Sequence, residues 1–466
     1  MASVAPAPET TRGETARLAD FAAHTPFTEL PAEAVERLEQ CVLDFIGVAV
    51  LGAREADSSP AIQAGVARLS AGGGTARVVG LPGSWSMEHA ALLNGVHAHS
   101  FDFDDTSIEG GLHPGAVVIP AALAAAEQAG GSGTEFLTAL AVGYETDCRV
   151  GAALGHGAYS RGFHPTGVAG VFGAVAAAGR VLRLAAPELE SAFGLAGSMA
   201  AGSMQYLANG GWNKRLHPGL AARNAVLAAG FAASGVSGAS QAIEGALGLL
   251  HGYTDTPEPG RLTAELGERW QLTGTGIKPY PSCRLTHGAI DAALRLRERL
   301  GGTPPLDGDI SILLSPAAYA IVGVPEARKI SPINSVDAQF SVYFQAAAAL
   351  LDGDVGWGTY RRVGEPETEK LAARITVAPD DAVTAAGARL TWHAPDGTDR
   401  DEYVPVPAGE PGTTLSWDVV ETKFHSCTAA LYDDATRHRI VAEVRRLHEA
   451  PSLRALTDLL AVDANV

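Results

Sequence analysis

The sequence predicts a mainly α-helical protein: a large all-helical domain with a smaller α+β lid domain inserted toward its C-terminal end. Three observations carry that prediction. Of 466 residues, 46% are hydrophobic, only 6% aromatic and 18% charged, and alanine and glycine dominate the apolar share. That composition favours closely packed small-residue helices over an aromatic-rich sandwich. Apolar residues recur at helical spacing from residue 18 to about residue 248, punctuated by Gly and Pro. Beyond residue 251 the pattern changes to short alternating segments between helices.

Taken in order, residues 1–13 are polar and rich in Pro and Thr, the composition of a disordered terminus. Pro31 can open a helix, and VERLEQCVLDFIGVAVLG continues it with helically spaced apolar residues to 52. Comparable helices are predicted over 89–99, 116–128, 135–153, 167–184, 187–201 and 220–233. Several are apolar on most faces and belong inside a helical bundle. A short strand is predicted at 76–79. A helix over 285–300 precedes a strand at 309–314, and strands at 374–378 and 388–392 alternate apolar with polar residues before the turn Pro395-Asp396-Gly397. Helical patterning returns over 418–432 and 437–447. The expected division is therefore 14–269 with 413–466 as the helical domain and 270–412 as the α+β lid, with a cleft between them as the default site.

Composition also excludes function classes. A net charge of −18 argues against nucleic acid or an anionic membrane as partner, since both need basic patches. Cys41, Cys148, Cys283 and Cys427 show no paired spacing, which fits reduced thiols and not a zinc or iron–sulfur ligand set. The N-terminal MASVAPAPETTRGE has no apolar signal core, and no apolar run reaches the roughly 20 residues of a membrane span. A cytoplasmic protein is expected.

One run concentrates chemistry. NGVHAHSFDFDDTSIEGGLHPG, residues 94–115, gathers Asp102, Asp104, Asp105, Thr106, His97, His99 and His113 between apolar segments. Solvated acids and core histidines are the bland reading, but the crowding of polar groups beside Phe101 and Phe103 favours a reaction centre. Three further segments stand out. SRGFHPTG at 160–167 places His164 just before a helix, whose dipole disfavours the imidazolium. NKRLHPG at 213–219 puts Lys214, Arg215 and His217 where a helix opens near Leu220, poor capping chemistry but a plausible anion site. KPYPSCRLTH at 278–287 holds Lys278, Ser282, Cys283, Arg284 and His287 in a loop restricted by two prolines. A metal site from His97, His99, His113 and Asp102 lacks any recognised ligand spacing, so no metal is expected. No dinucleotide fingerprint, phosphate loop or nucleophile elbow occurs. Asp, His, Lys and Arg without a cofactor suit removal of a proton α to a carboxylate, with cations holding the resulting charge. Such a carbanion can expel a hydroxyl, be reprotonated on the other face, or arise by loss of CO2.

These residues resemble the MmgE/PrpD family, which includes 2-methylcitrate dehydratase, cis-aconitate decarboxylase and iminodisuccinate epimerase. The resemblance rests on HAHSFDFDDT (97–106), HPG (113–115), GYE (143–145), GFHPTG (162–167), KRLHPG (214–219), KPYPSCRLTH (278–287) and DAQFSVYF (337–344), and spans nearly the whole chain. It implies a helical domain with an α+β lid, a homodimer, no cofactor, and a site holding Asp102, Thr106, His113, His164, Lys214 and Lys278. His113 and His164 would transfer protons, Lys214 and Lys278 would bind substrate carboxylates, and Asp102 would orient a histidine or lysine. Arg284 and His287 would assist in binding a small anionic carboxylate substrate. Members resembling cis-aconitate decarboxylase carry a histidine five residues after the lid lysine. Here that position is Cys283, with His287 one helical turn later. The resulting expectation is a lyase on a di- or tricarboxylate, with dehydration of a 2-methylcitrate-like hydroxy acid placed first and decarboxylation or epimerisation as alternatives.

Overall fold

Small side chains set how closely the helices approach. The computed structural model describes residues 13–70, 73–302 and 307–462; helix makes up 59% of the structure and strand 8%, the mainly α class that the pattern predicts. The disorder expected over 1–13 lies outside the described residues except for Gly13. In helix Ala32–Glu55 every residue from Leu38 to Ala53 is buried. Helix Gly133–Leu154 opens with a capping box in which the Ser132 hydroxyl accepts from Glu135 N–H and the Glu135 carboxylate accepts from Ser132 N–H, satisfying two otherwise orphaned donors.

The crossing that builds the site is between helices Met87–His99 and Asn213–Ala233. A Cβ added at Gly95 would stand 2.8 Å from Gly219 Cα, and one added at Gly219 only 2.2 Å from Leu92 O. The two backbones meet directly, which only glycine permits at both positions. Helix Asn213–Ala233 begins earlier than the expected Leu220 and carries Pro218 inside it. Packing against Met87–His99 overrides the local preference of proline, and Lys214 and His217 therefore sit on a helix and not in a loop.

The strand expected at 76–79 is reduced to an isolated bridge between Ala76 and Trp85. Asn94 is the reason: its carbonyl accepts from Val79 N–H at 2.8 Å and its amide donates to Arg77 O at 3.0 Å, taking the place of a neighbouring strand. In the C-terminal part, strand Asp309–Leu314 pairs in parallel with Ile375–Pro379 and antiparallel with Ala388–His393, which in turn pairs antiparallel with Asp399–Val404. The last strand is absent from the sequence expectation because its charged residues mask the alternation. Ile310, Ile312 and Leu314 are buried while their neighbours are not, the period-2 signature of a one-sided sheet. Helices His287–Arg299 and Val342–Asp352 belong to this sheet's own hydrophobic core, composed of residues between Ala289 and Val404. After it the chain returns to the helical part, where Trp417–Thr428 packs on Ala32–Glu55. Among the described residues no helix is long and apolar enough to cross a membrane.

Candidate active site

Helix Met87–His99 ends at Ser100, and two residues later the backbone of Asp102 takes a positive φ of 53°. Aspartate tolerates that left-handed conformation better than bulkier residues do. It turns the carboxylate into the space between Asn213–Ala233 and the segment leading to Lys278. Lys278 Nζ donates to Asp102 Oδ1 at 2.6 Å, to Asp102 O at 2.8 Å and to Ser282 O at 3.1 Å. Lys214 Nζ lies 3.0 Å from Asp102 Oδ2, yet the buried ammonium has no aligned hydrogen-bond partner. Its N–H groups are thus left for something that enters the site. Burial raises the Asp102 carboxyl, but Lys214 and Lys278 hold it well below the usual range, so it stays ionised.

Asp104 makes the second half of the constellation. Its Oδ2 lies 2.8 Å from His99 Nδ1 and 3.2 Å from His113 Nδ1, and His113 Nε2 is 3.6 Å from Asp102 Oδ1. Against the cost of burial, His99 and His113 hold Asp104 well below its ordinary value. An ionised Asp104 requires the proton on His99 Nδ1 and leaves the buried, unpartnered Nε2 as a free lone pair. Burial pulls His99 down to about 4 and also lowers His113. His164 stacks on His99 with ring centroids 5.6 Å apart, and its Nδ1 is 3.3 Å from His217 Nδ1. Burial drives His164 well down and His217 to about 4, so four neutral imidazoles meet two ionised carboxylates and two ammonium groups.

The other expected positions lie around this centre. Thr106 and Ser107 form a two-residue strand paired with Thr275 and Gly276, tying the acidic loop to the segment that carries Lys278. Cys283 follows Lys278 by one turn of the loop, its N–H donating to Gln339 O at 2.9 Å, and burial raises its thiol. His287 is turned back onto Ser282 O at 3.3 Å, the same carbonyl that Lys278 uses. Arg284 points to Glu410, 3.5 Å away. His113, Lys214 and Lys278 therefore all converge on Asp102, His164 joins through His99 and His217, and Arg284 is directed elsewhere.

Asp105, although adjacent, faces the core. Tyr144 O–H donates to its Oδ2 at 2.6 Å and Gly115 N–H to its Oδ1 at 2.8 Å. A Cβ at Gly115 would lie 2.6 Å from the same carboxyl, so glycine is required there. Burial raises Asp105 to about 7, above the unfolded value of about 3.9. The unfolded chain then releases this proton first, and the group costs stability as pH rises from about 4 to about 7. Asp105→Asn removes that dependence. Its stability relative to the parent, followed by melting temperature, is expected to rise across that window and level off above it, a free-energy gain on the order of a few kcal/mol in all; a difference independent of pH would show that Asp105 is not buried as an acid.

His99, Asp102, Asp104 and His113 offer ligand atoms all within 4.8 Å of one another, a spacing compatible with a divalent ion. The two ammonium groups already placed on Asp102 would repel such an ion at close range. Sequence reasoning overlooked Lys423, which stands beneath the site on helix Trp417–Thr428. Its Nζ donates to Phe103 O at 2.6 Å and Lys278 O at 2.9 Å and pairs with Asp44 at 2.5 Å. An isolated lysine in an amphipathic helix gives no signal of such a role.

A family model described as MmgE/PrpD N-terminal domain matches residues 16–262, and one described as MmgE/PrpD C-terminal domain matches residues 280–449. Among curated proteins, the chain is 28% identical to "Cis-aconitate decarboxylase-like protein oryM" of Aspergillus oryzae, covering 96% of this chain and 97% of that one. It is 28% identical to a cis-aconitate decarboxylase of Aspergillus terreus, over 96% of each. The human cis-aconitate decarboxylase is 26% identical, over 92% of this chain and 91% of the relative.

Proposed function

Because the chain belongs to the MmgE/PrpD family, we propose that its site performs cofactor-independent decarboxylation of an aconitate-like tricarboxylate. The observation that carries this reading is the Lys214 ammonium, buried at 3.0 Å from Asp102 without an aligned hydrogen bond. A cation poised in this way binds an incoming carboxylate at little reorganisation cost. The names of relatives that align along almost the whole chain favour loss of CO2, and dehydration, placed first on the sequence alone, becomes the second reading. Cys283, at the position where the decarboxylase-like members carry histidine, is what keeps dehydration of a 2-methylcitrate-like acid in view.

In the proposed reaction the bond between carbon and the departing carboxylate breaks, and its electron pair becomes a new alkene. The former alkene electrons take up a proton at the carbon next to a retained carboxylate, so one proton is consumed for each CO2 released. His113 supplies that proton: it lies between Asp102 and Asp104, and a polyanion bound nearby raises its affinity for one. Lys214 holds the terminal carboxylate that is retained, Lys278 adds its charge while its three N–H groups serve Asp102 and Ser282, and His164 completes the wall. The same reading includes a homodimer, which the family resemblance implies, in the cytoplasm, which the free cysteines favour.

Incubation with cis-aconitate in D2O, followed by proton NMR, tests the assignment. Decarboxylation gives CO2 and an unsaturated diacid carrying one new deuterium on the methylene. Turnover of 2-methylcitrate to an alkene, with cis-aconitate untouched, would replace the first reading by the second.

A further inference from the structure

The charges around Asp102 cancel: Asp102 and Asp104 stand against Lys214 and Lys278. A substrate bearing two or three carboxylates thus enters a site with no surplus cation, unless another lies within reach. Lys329, in the short helix Glu326–Ile330, is such a cation. Its backbone is fixed, because Lys329 N–H donates to Pro325 O and Lys329 O accepts from the Ser341 hydroxyl. Its ammonium lies 5.9 Å from the centroid of Phe340, the ring over which Lys214 Nζ sits at 5.6 Å. Phe340 follows Gln339, whose carbonyl accepts from Cys283 N–H, so Lys329, Lys214 and the Cys283 loop converge on one aromatic wall.

Among the described residues the Lys329 ammonium has no hydrogen bond or ion pair. Its neighbour Arg328 is fully engaged, with Asp337 at 3.0 Å and Ala208 O at 2.8 Å. Burial lowers the Lys329 pKa, only partly countered by Cys283 and Asp337. A half-buried cation kept against an aromatic ring, without a carboxylate of its own, is an anion site waiting for its anion.

We propose that Lys329 is a further carboxylate anchor, which takes the central, retained carboxylate of the substrate and makes the site selective for triacids over diacids. This rests on the polycarboxylate reading above. The test is isothermal calorimetry of the full chain with two unreactive acids: tricarballylate, with three carboxylates, and glutarate, which lacks the central one. The parent protein is expected to bind tricarballylate more tightly than glutarate. Lys329→Met should weaken tricarballylate by roughly ten- to a hundredfold and leave glutarate within about twofold, while Lys329→Arg keeps the preference. Unchanged tricarballylate affinity in Lys329→Met, with the melting temperature also unchanged, overturns the assignment of Lys329 alone. A parent protein that binds neither acid overturns the polycarboxylate reading itself.

Discussion

Lys214→Met is expected to lower kcat/KM by about 10²–10³-fold while the protein remains folded. The size follows from what removal of one preorganised charge-stabilising donor costs in other enzymes. Folding should survive because Asp102 keeps the Lys278 ammonium on its Oδ1 at 2.6 Å, so the carboxylate is never left unpaired. The Lys214 ammonium, in contrast, makes no aligned hydrogen bond and contributes to the fold chiefly through its proximity to Asp102 and Phe340. Lys278→Met should behave differently, since it strips donors from Asp102 O, Asp102 Oδ1 and Ser282 O together, and loss of stability accompanies loss of turnover. The comparison is made on one substrate, with kcat and KM measured separately and melting temperatures beside them. Undiminished kcat/KM in Lys214→Met would remove Lys214 from the mechanism.

That contrast between two lysines was beyond the reach of the sequence, which presented both as one kind of residue in two motifs. Local patterns were read well where the signal is local. The helices of the first half follow from their periodicity, and strands 309–314 and 388–392 emerge within a residue or two of Asp309–Leu314 and Ala388–His393. The run 94–115 stood out as a candidate site because three aspartates and three imidazoles seldom crowd between apolar helices. What the sequence hid is tertiary. The Gly95–Gly219 crossing pulls Lys214 onto a helix past a proline that local rules make a boundary. The separate fates of adjacent acids, with Asp104 held low by two histidines and Asp105 raised by burial, depend on which way each side chain turns. Arg284 had the right chemistry and chain position, yet Glu410, 126 residues away, claims it. Lys329 and Lys423 were unremarkable as letters, since a lone lysine is ordinarily a solvated one.

Lys423→Met carries the largest expected effect on stability, about 3–5 kcal/mol, the range for removing one partner of a buried ion pair. Lys423 sits 3.7 Å from the Phe103 ring centroid, and both it and Asp44 are buried. Burial raises Asp44 to about 6, and Lys423 is the main influence that lowers it. Without Lys423 the Asp44 carboxyl rises further. Its folded value then lies further above the unfolded one, so stability falls with increasing pH over a longer span. The deficit of Lys423→Met relative to the parent should accordingly be smaller near pH 5, where Asp44 is protonated in both proteins, and larger near pH 8. Adding Asp44→Asn should recover part of the loss, because no buried carboxylate is then left unpaired, and the double mutant will be less destabilised than the two single effects summed. What Asp44→Asn cannot restore is the link from Lys423 to Phe103 O and Lys278 O, which sets the spacing between the loop of Asp102 and the segment of Lys278. The double mutant should therefore regain melting temperature without regaining kcat. Equal recovery of both, measured well below the transition, would show that Lys423 supports the fold and has no part in positioning the site.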